Sequence, residues 1–134
     1  MKNEKTSAPQ GSSLGVKNGK LAPCKSSPNC VSSQAKDKHY LSPISYQNLN
    51  QARQTILTLL EELPNSEIVE KKEHYIRAEV KSNFFNFIDD VEFYFSEQEK
   101  KIHFRSAARS GYWDLGVNKR RMKKIRNEFA NHKV

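Results

Sequence analysis

The segment Val91-Glu-Phe-Tyr-Phe-Ser-Glu-Gln-Glu-Lys-Lys-Ile-His-Phe-Arg105 contains two short runs in which apolar and polar residues alternate. A period of two is typical of β-strands that bury one face. The polar residues at 96–101 separate the runs and predict a turn, so we expect an antiparallel hairpin. The hairpin in turn predicts an antiparallel sheet at the centre of the fold.

The alternation also predicts how the two strands of this hairpin pair. One register sets two pairs on the core side and two on the other: Phe95 with Ile102, Phe93 with Phe104, Tyr94 with His103, and Glu92 with Arg105. A slip by one residue would put the core phenylalanines on opposite faces, which disfavours it. A slip by two residues would keep the faces and change the partners, so that alternative stays open.

Further strands and two helices flank the hairpin. Residues 67–70 predict a short strand, residues 74–81 alternate along a longer one, and the apolar run at 84–88 fits either a strand or a buried turn. A first helix, capped by Asn48 or Asn50 and stopped at 64–65, is predicted by apolar residues at helical spacing: Ala52, Ile56, Leu59, Leu60 and Leu63. A second helix is predicted from an N-cap at Asn118, with an apolar stripe of Met122, Ile125 and Phe129.

These elements predict an α+β domain, an antiparallel sheet of about four strands with two helices packed on one face. Residues 1–20 are small, polar or basic and predict a disordered or linker lead, so residues 21–134 form the single folded domain. Residues 21–47 predict an irregular loop with a short extended piece near 44–46. We expect this loop to fold across the open face of the sheet.

The chain is basic, with 134 residues and a net charge of +8, which favours anionic partners. The charge has no recognised nucleic-acid-binding motif beside it, which disfavours specific nucleic-acid binding. The sequence contains no apolar run long enough for a membrane span. We therefore expect a soluble protein, cytoplasmic if its start is native and periplasmic, in a bacterial envelope, if a leader was removed.

Two cysteines, Cys24 and Cys30, lie in a Pro- and Ser-rich segment. They are close enough to close a short disulfide loop, and the alternative is a pair of semi-buried thiols. Two cysteines alone do not complete a tetrahedral zinc site, so no metal and no cofactor is predicted.

Three motifs occur in order along the chain: Leu21-Ala-Pro-Cys-Lys-Ser-Ser-Pro-Asn-Cys-Val-Ser-Ser33, Phe87-Ile-Asp-Asp-Val-Glu-Phe93 and Arg105-Ser-Ala-Ala-Arg-Ser-Gly-Tyr-Trp-Asp-Leu-Gly-Val-Asn-Lys-Arg-Arg121. Together they resemble the domain of unknown function 1499 family, over about residues 14–125. The resemblance implies no established activity, substrate or cofactor. Many bacterial relatives look like envelope proteins with a leader ahead of the first motif, which this chain does not show.

Carboxylates at Asp89, Asp90 and Glu92 form the first candidate site. Closely spaced carboxylates can divide into an acid and a base, or bind a cation through oxygen. The competing interpretation is structural, since Asp-Asp is common in turns and Glu92 has Arg105 as a cross-strand partner.

The segment from Arg105 to Gly116 forms the second candidate site, because it leaves a strand and leads into a helix N-terminus, where an anion is favoured. The candidate ligand-binding residues here are Arg105, Ser106, Arg109, Ser110, Asp114 and Asn118. Arginine can clamp a carboxylate or phosphate with paired donors. The alternative is that both arginines pair with the nearby carboxylates and fix the loop.

Three functions remain open from the sequence. The leading hypothesis is a non-catalytic binding module for an anionic small ligand or protein partner at the Arg105–Arg109 loop and the N-terminus of the last helix. The second is an enzyme with an acid/base carboxylate among Asp89, Asp90 and Glu92 and an arginine clamp. The third is nonspecific nucleic-acid association through the basic last helix.

Overall fold

The main sheet of the computed structural model is antiparallel and six-stranded, in the order β3-β8-β7-β6-β5 with β4 also paired to β8. The structure describes residues 14–82 and 87–132. The elements are β1 (Val16–Lys17), β2 (Lys20–Leu21), β3 (Cys30–Ser32), β4 (Ile44–Ser45), α1 (Leu49–Glu62), β5 (Ser66–Lys71), β6 (Tyr75–Lys81), β7 (Ile88–Ser96), β8 (Lys101–Ala108) and α2 (Val117–Asn131). The α+β class is thus confirmed, but the prediction of about four strands is too small.

The central hairpin, β7 and β8, has the predicted register. Phe95 pairs with Ile102, and Phe93 pairs with Phe104. These side chains are fully buried in one core with the inward residues of both helices, such as Ile56 and Met122. The pattern therefore predicted the inward face of the sheet, because a slip by one residue would turn the phenylalanines of one strand to the other face.

The extra strands come from residues 21–47, which were expected to cross the open face of the sheet. That expectation was wrong: β3 and β4 both pair with β8 and extend the sheet at its edge. Pairing at the edge satisfies backbone donors and acceptors that a crossing loop would leave to side chains. The extended piece predicted near residue 44 is confirmed as β4.

A small hairpin, β1 and β2, covers the open face instead. The backbone N–H of Gly15 donates a 2.7 Å hydrogen bond to Oε2 of Glu92, which points out from that face. Residues 14–20 were predicted to belong to the lead, and the structure places them in this hairpin. Residues 1–13 lie outside the described residues, as do 83–86 of the ambiguous apolar run.

The two helices begin differently. Helix α1 is capped as predicted, because the Asn48 side chain accepts the Gln51 N–H. Helix α2 begins one residue before the predicted cap, so Asn118 lies inside its first turn and Gly116 takes the cap position at a φ of 77°. Among the described residues, neither helix is apolar and long enough to cross a bilayer.

Candidate functional site

A row of charged side chains crosses the open face of the sheet. Register places Arg77 of β6, Glu92 of β7 and Arg105 of β8 side by side. Arg77 and Glu92 are fully buried, and Arg105 is nearly so. Alternating positive and negative groups on adjacent strands attract one another, which helps to offset their removal from water.

The next row holds an arginine fork at the end of β8. Arg109 donates through Nε to Oδ2 of Asp90 at 3.0 Å and through Nη2 to Oδ1 at 2.7 Å. The same Nη2 lies 2.8 Å from Oε2 of Glu79. Hydrogen bonding to Asp90 is the main cause that raises the pKa of Arg109 above its ordinary value. The fork that was predicted to clamp a ligand is therefore occupied by carboxylates of the protein itself.

Glu92 is sealed between the β1–β2 hairpin and the sheet. Its Oε2 accepts hydrogen bonds from the Tyr75 hydroxyl at 2.6 Å and from Gly15. Its Oε1 lies 3.5 Å from Nη1 of Arg105 and has no hydrogen-bond partner within the described residues. Burial raises the pKa of Glu92 above its ordinary value, and burial followed by the charge of Glu92 raises the pKa of Tyr75.

Because Glu92 is buried, we expect the free energy of unfolding to depend on pH. The folded protein holds this proton to a higher pH than the unfolded chain does, so stability is expected to fall as pH rises above the ordinary glutamate pKa of about 4.5. Urea unfolding of wild type and Glu92→Gln across this range should show the wild type losing stability relative to the variant. A constant difference between the two proteins would contradict the prediction.

Asp37 provides a control of opposite sign. Hydrogen bonds from His39 lower the pKa of Asp37, so its contribution is present above the ordinary value of 3.8 and is lost as pH falls below it. Wild type should therefore lose stability relative to Asp37→Asn on acidification. The pH dependences from Glu92 and Asp37 should each add to the pH dependence of the free energy of unfolding that the other carboxylates produce.

Apart from Ser110, which is exposed in the loop, the remaining predicted residues lie on the opposite side of the sheet, towards α2. Asp89 pairs with Nη2 of Arg121 at 2.9 Å, and the Ser106 hydroxyl donates to Oδ1 of Asn118 at 2.6 Å. Arg121 also donates to both Ser106 and Asn118. Burial raises the pKa of Asp89, and Arg121 opposes that shift. This cluster joins the start of β7 and the end of β8 to the first turns of α2.

The N-terminus of α2 is occupied by Asp114. One carboxylate oxygen accepts the N–H of Gly116 at 2.8 Å, and the other accepts the backbone N–H of Asn118 at 3.1 Å. A carboxylate at this position satisfies free amides and complements the positive end of the helix. The anion favoured there by the sequence is thus supplied by the chain.

The loop from Arg109 to Val117 carries side chains that nothing in the described structure covers. Tyr112, Trp113 and Leu115 are 54%, 75% and 84% exposed. The Tyr112 and Trp113 rings meet edge to face, with centroids 4.9 Å apart. Leu115 has a φ of 56°, the left-handed region that a branched aliphatic residue rarely adopts.

The base of this loop is held by a second segment, the disulfide loop between Cys24 and Cys30. Asn29 donates to the carbonyl oxygen of Gly111 at 2.7 Å and accepts the Ala108 N–H at 3.0 Å. The disulfide alternative for the two cysteines is the one found in the structure. It fixes Asn29, and Asn29 fixes the start of the loop.

The sheet therefore divides the predicted site residues into two groups. Arg105, Arg109, Asp90 and Glu92 lie on the open face; Asp89, Ser106, Asn118 and Asp114 lie on the side of α2; Ser110 is exposed in the loop. Their assignment to a ligand stays a prediction. Four contributing side chains were not among the predicted site residues. Tyr75, Arg77 and Glu79 lie on the same face of β6, and Arg121 lies one helical turn from Asn118.

One group among the described residues has the spacing of metal ligands. Glu73, His74 and Glu97 offer ligand atoms within 4.8 Å of one another. His74 Nε2 already hydrogen-bonds to Oε2 of Glu97 at 2.6 Å, and both glutamates are exposed. Exposed acidic groups of this kind commonly pair with a histidine without a metal.

The fold and these contacts define a small α+β domain. Its polar side chains on the open face of the sheet, and those between the sheet and α2, are paired with one another. The family model described as "Protein of unknown function (DUF1499)" matches residues 20–129. The chain belongs to this family, as its three motifs predicted. None of the curated proteins compared with the chain matches it.

Proposed function

We propose that this domain is a non-catalytic binding module for an anionic partner, and that it binds through the loop 109–117 and the first turns of α2. The observation that carries the proposal is the combination of exposed apolar side chains with a concentration of positive charge. In the first turns of α2 the cations without a carboxylate within salt-bridge distance among the described residues are Lys119, Arg120 and Lys123, whereas Arg109, Arg121 and Lys124 are paired with carboxylates. Asp114 is the one acidic residue between residues 109 and 124, and its single negative charge offsets only part of this positive charge.

The loop 109–117 is held in place by hydrogen bonds, which favours a role in binding. Its start is held by Asn29, its end by Asp114, and its middle by Arg120, which donates to the Leu115 carbonyl oxygen at 2.6 Å. A loop fixed in this way loses less conformational freedom when a partner binds. The ligand is expected on the exposed neighbours of Arg105 and Arg109, not on these two arginines as the sequence predicted, because both are paired with carboxylates.

The enzyme alternative has less support. A catalytic carboxylate needs access to a reacting group, whereas Asp90 is bonded to Arg109 and Glu92 is covered by the hairpin. A cleft of about 280 Å³ beside the β1–β2 hairpin is lined by Glu70 and Tyr75, and Glu92 is not among its lining residues.

The proposal predicts a site-specific charge effect. Lys119→Glu combined with Lys123→Glu should weaken binding of soluble polyphosphate at low salt by about tenfold or more, because two attractive charges become repulsive. Both lysines are exposed, and glutamate near a helix N-terminus is compatible with the fold. Isothermal titration calorimetry measures the change.

Lys71→Glu combined with Lys72→Glu is the matched control. These lysines are also exposed, and they lie at the opposite end of the sheet, by the β5–β6 turn. The control alters the net charge equally, so it should leave binding nearly unchanged. Equal losses in the two variants would mean that only net charge matters, and the proposed surface would be wrong.

A further inference from the structure

Exposed apolar side chains are concentrated at one end of the sheet. Six large apolar residues are exposed among those described, and only Tyr40 lies elsewhere. The other five form what we call the aromatic tip: Phe87, Tyr112, Trp113, Leu115 and Val117. Phe87 belongs to it because the neighbouring Ile88 carbonyl accepts the Arg109 N–H at 2.8 Å, which joins the two segments.

We propose that the aromatic tip docks on an anionic lipid bilayer, with Trp113 and Leu115 entering the interface and the exposed cations of the first turns of α2 contacting headgroup phosphates. This inference rests on the proposed function and names its partner. It makes the domain a peripheral membrane-binding module that needs no spanning helix.

The composition of the tip favours a bilayer over a soluble anion. A small phosphate ligand gives no role to an exposed leucine, and a nucleic acid would stack on the aromatic rings but not on Leu115 or Val117. A bilayer interface accepts all three kinds of side chain: aromatic rings at headgroup depth, aliphatic groups at the acyl boundary, and cations beside anionic lipids. The positive charge of α2 and the exposed apolar side chains therefore both favour an anionic bilayer as the partner.

The backbone conformation of Leu115 also supports a role in binding. Asparagine or glycine would tolerate the left-handed conformation more easily than leucine does. The chain nevertheless places an aliphatic side chain there, 84% exposed, and holds its carbonyl through Arg120. Leu115 thus neither packs in the core nor suits its backbone conformation, so folding alone does not explain a leucine at this position. Contact with a binding partner does explain it.

The experiment uses Trp113, the only tryptophan of the chain, as a reporter placed inside the tip. The full chain is titrated with phosphatidylcholine vesicles that contain or lack phosphatidylglycerol, while tryptophan emission and co-sedimentation are recorded. With phosphatidylglycerol present, emission should shift to the blue, brominated lipids should quench it, and added salt should weaken binding. Neutral vesicles should bind less.

Leu115→Asn is the decisive variant, because it removes the aliphatic group, keeps the reporter and eases the backbone. It should bind phosphatidylglycerol vesicles about tenfold more weakly, as expected for losing part of a leucine's burial, and it should remain folded. Tyr40→Asn removes an exposed aromatic outside the tip and should bind as the wild type does.

The outcomes separate the two proposals. Unshifted emission with phosphatidylglycerol vesicles, or undiminished binding by Leu115→Asn, overturns the bilayer inference. If soluble polyphosphate still binds through Lys119 and Lys123 in that case, the binding-module proposal stands without a bilayer. A blue shift with a DNA duplex or an acidic protein, and none with vesicles, also overturns the inference. Binding of neither polyphosphate nor vesicles overturns both proposals.

Discussion

Replacing Arg77 with alanine is expected to lower the free energy of unfolding by about 3–5 kcal/mol, the range measured when one partner of a buried ion pair is removed. Arg77 is fully buried and lies within 4 Å of three carboxylates: 3.0 Å from Asp90, 3.3 Å from Glu79 and 3.8 Å from Glu70. Without it Asp90 and Glu79 would share Arg109 alone, and Glu70 would lose this guanidinium as a neighbour. Such a loss is a large part of the stability of a domain this size.

Arg77→Met separates charge from packing. Methionine keeps most of the apolar stem, so it should restore little of the loss if the unneutralised carboxylates dominate. Urea unfolding at neutral pH measures both variants. If the free energy of unfolding of Arg77→Met lies within about 1 kcal/mol of the wild-type value, Arg77 stabilises the fold mainly by packing and not by its charge.

A double-mutant cycle with Asp90→Asn tests whether the pair acts directly. Removing the carboxylate as well as the arginine should recover part of the loss, with a coupling energy of about 1–3 kcal/mol between the two sites. Additive effects would contradict a direct ion pair between Arg77 and Asp90.

The fold was largely predictable where one face of an element is apolar. Phe93, Phe95 and Phe104 alternate with polar residues, and a slip by one residue would put them on opposite faces, so local pattern and global packing agree. Helix α1 was predictable for the same reason, since its leucines have helical spacing and Asn48 is a good cap.

The rest depended on contacts that a pattern does not encode. Strands as short as β3 and β4 have too few residues to show a period, and their pairing with β8 is set by the chain around them. The hairpin over Glu92 is made by the backbone of Gly15, and a backbone donor leaves no trace in side-chain chemistry.

The candidate site shows the same limit. Sequence proximity grouped Ser106 with Arg105 and Arg109, but alternate residues of a strand point to opposite faces. Asp114 was named as a ligand residue and proves to cap α2, since an anion-binding helix end attracts whichever carboxylate is nearest. Pairing within the chain thus left the neighbouring exposed residues as the surface available to a partner.

The disulfide connects the stability of the domain to that surface. It closes a loop with a sequence separation of six residues, directly before the β3 strand at the edge of the sheet. Within that loop Ser27 donates to Asn29 at 2.9 Å, and Asn29 reaches across to Gly111. The disulfide therefore ends beside the asparagine that contacts the base of the aromatic tip.

Cys24→Ala combined with Cys30→Ala is expected to lower the free energy of unfolding by roughly 2 kcal/mol, because the unfolded chain regains the entropy of a short closed loop. Amide hydrogen exchange should speed up at Ala108, whose N–H is held by Asn29, and in the loop that follows, but not in α1. Chemical reduction of the wild type should reproduce both effects. Unchanged exchange at Ala108 after reduction would mean that Asn29 keeps its place without the disulfide, and that the tip is held by β3 pairing with β8 alone.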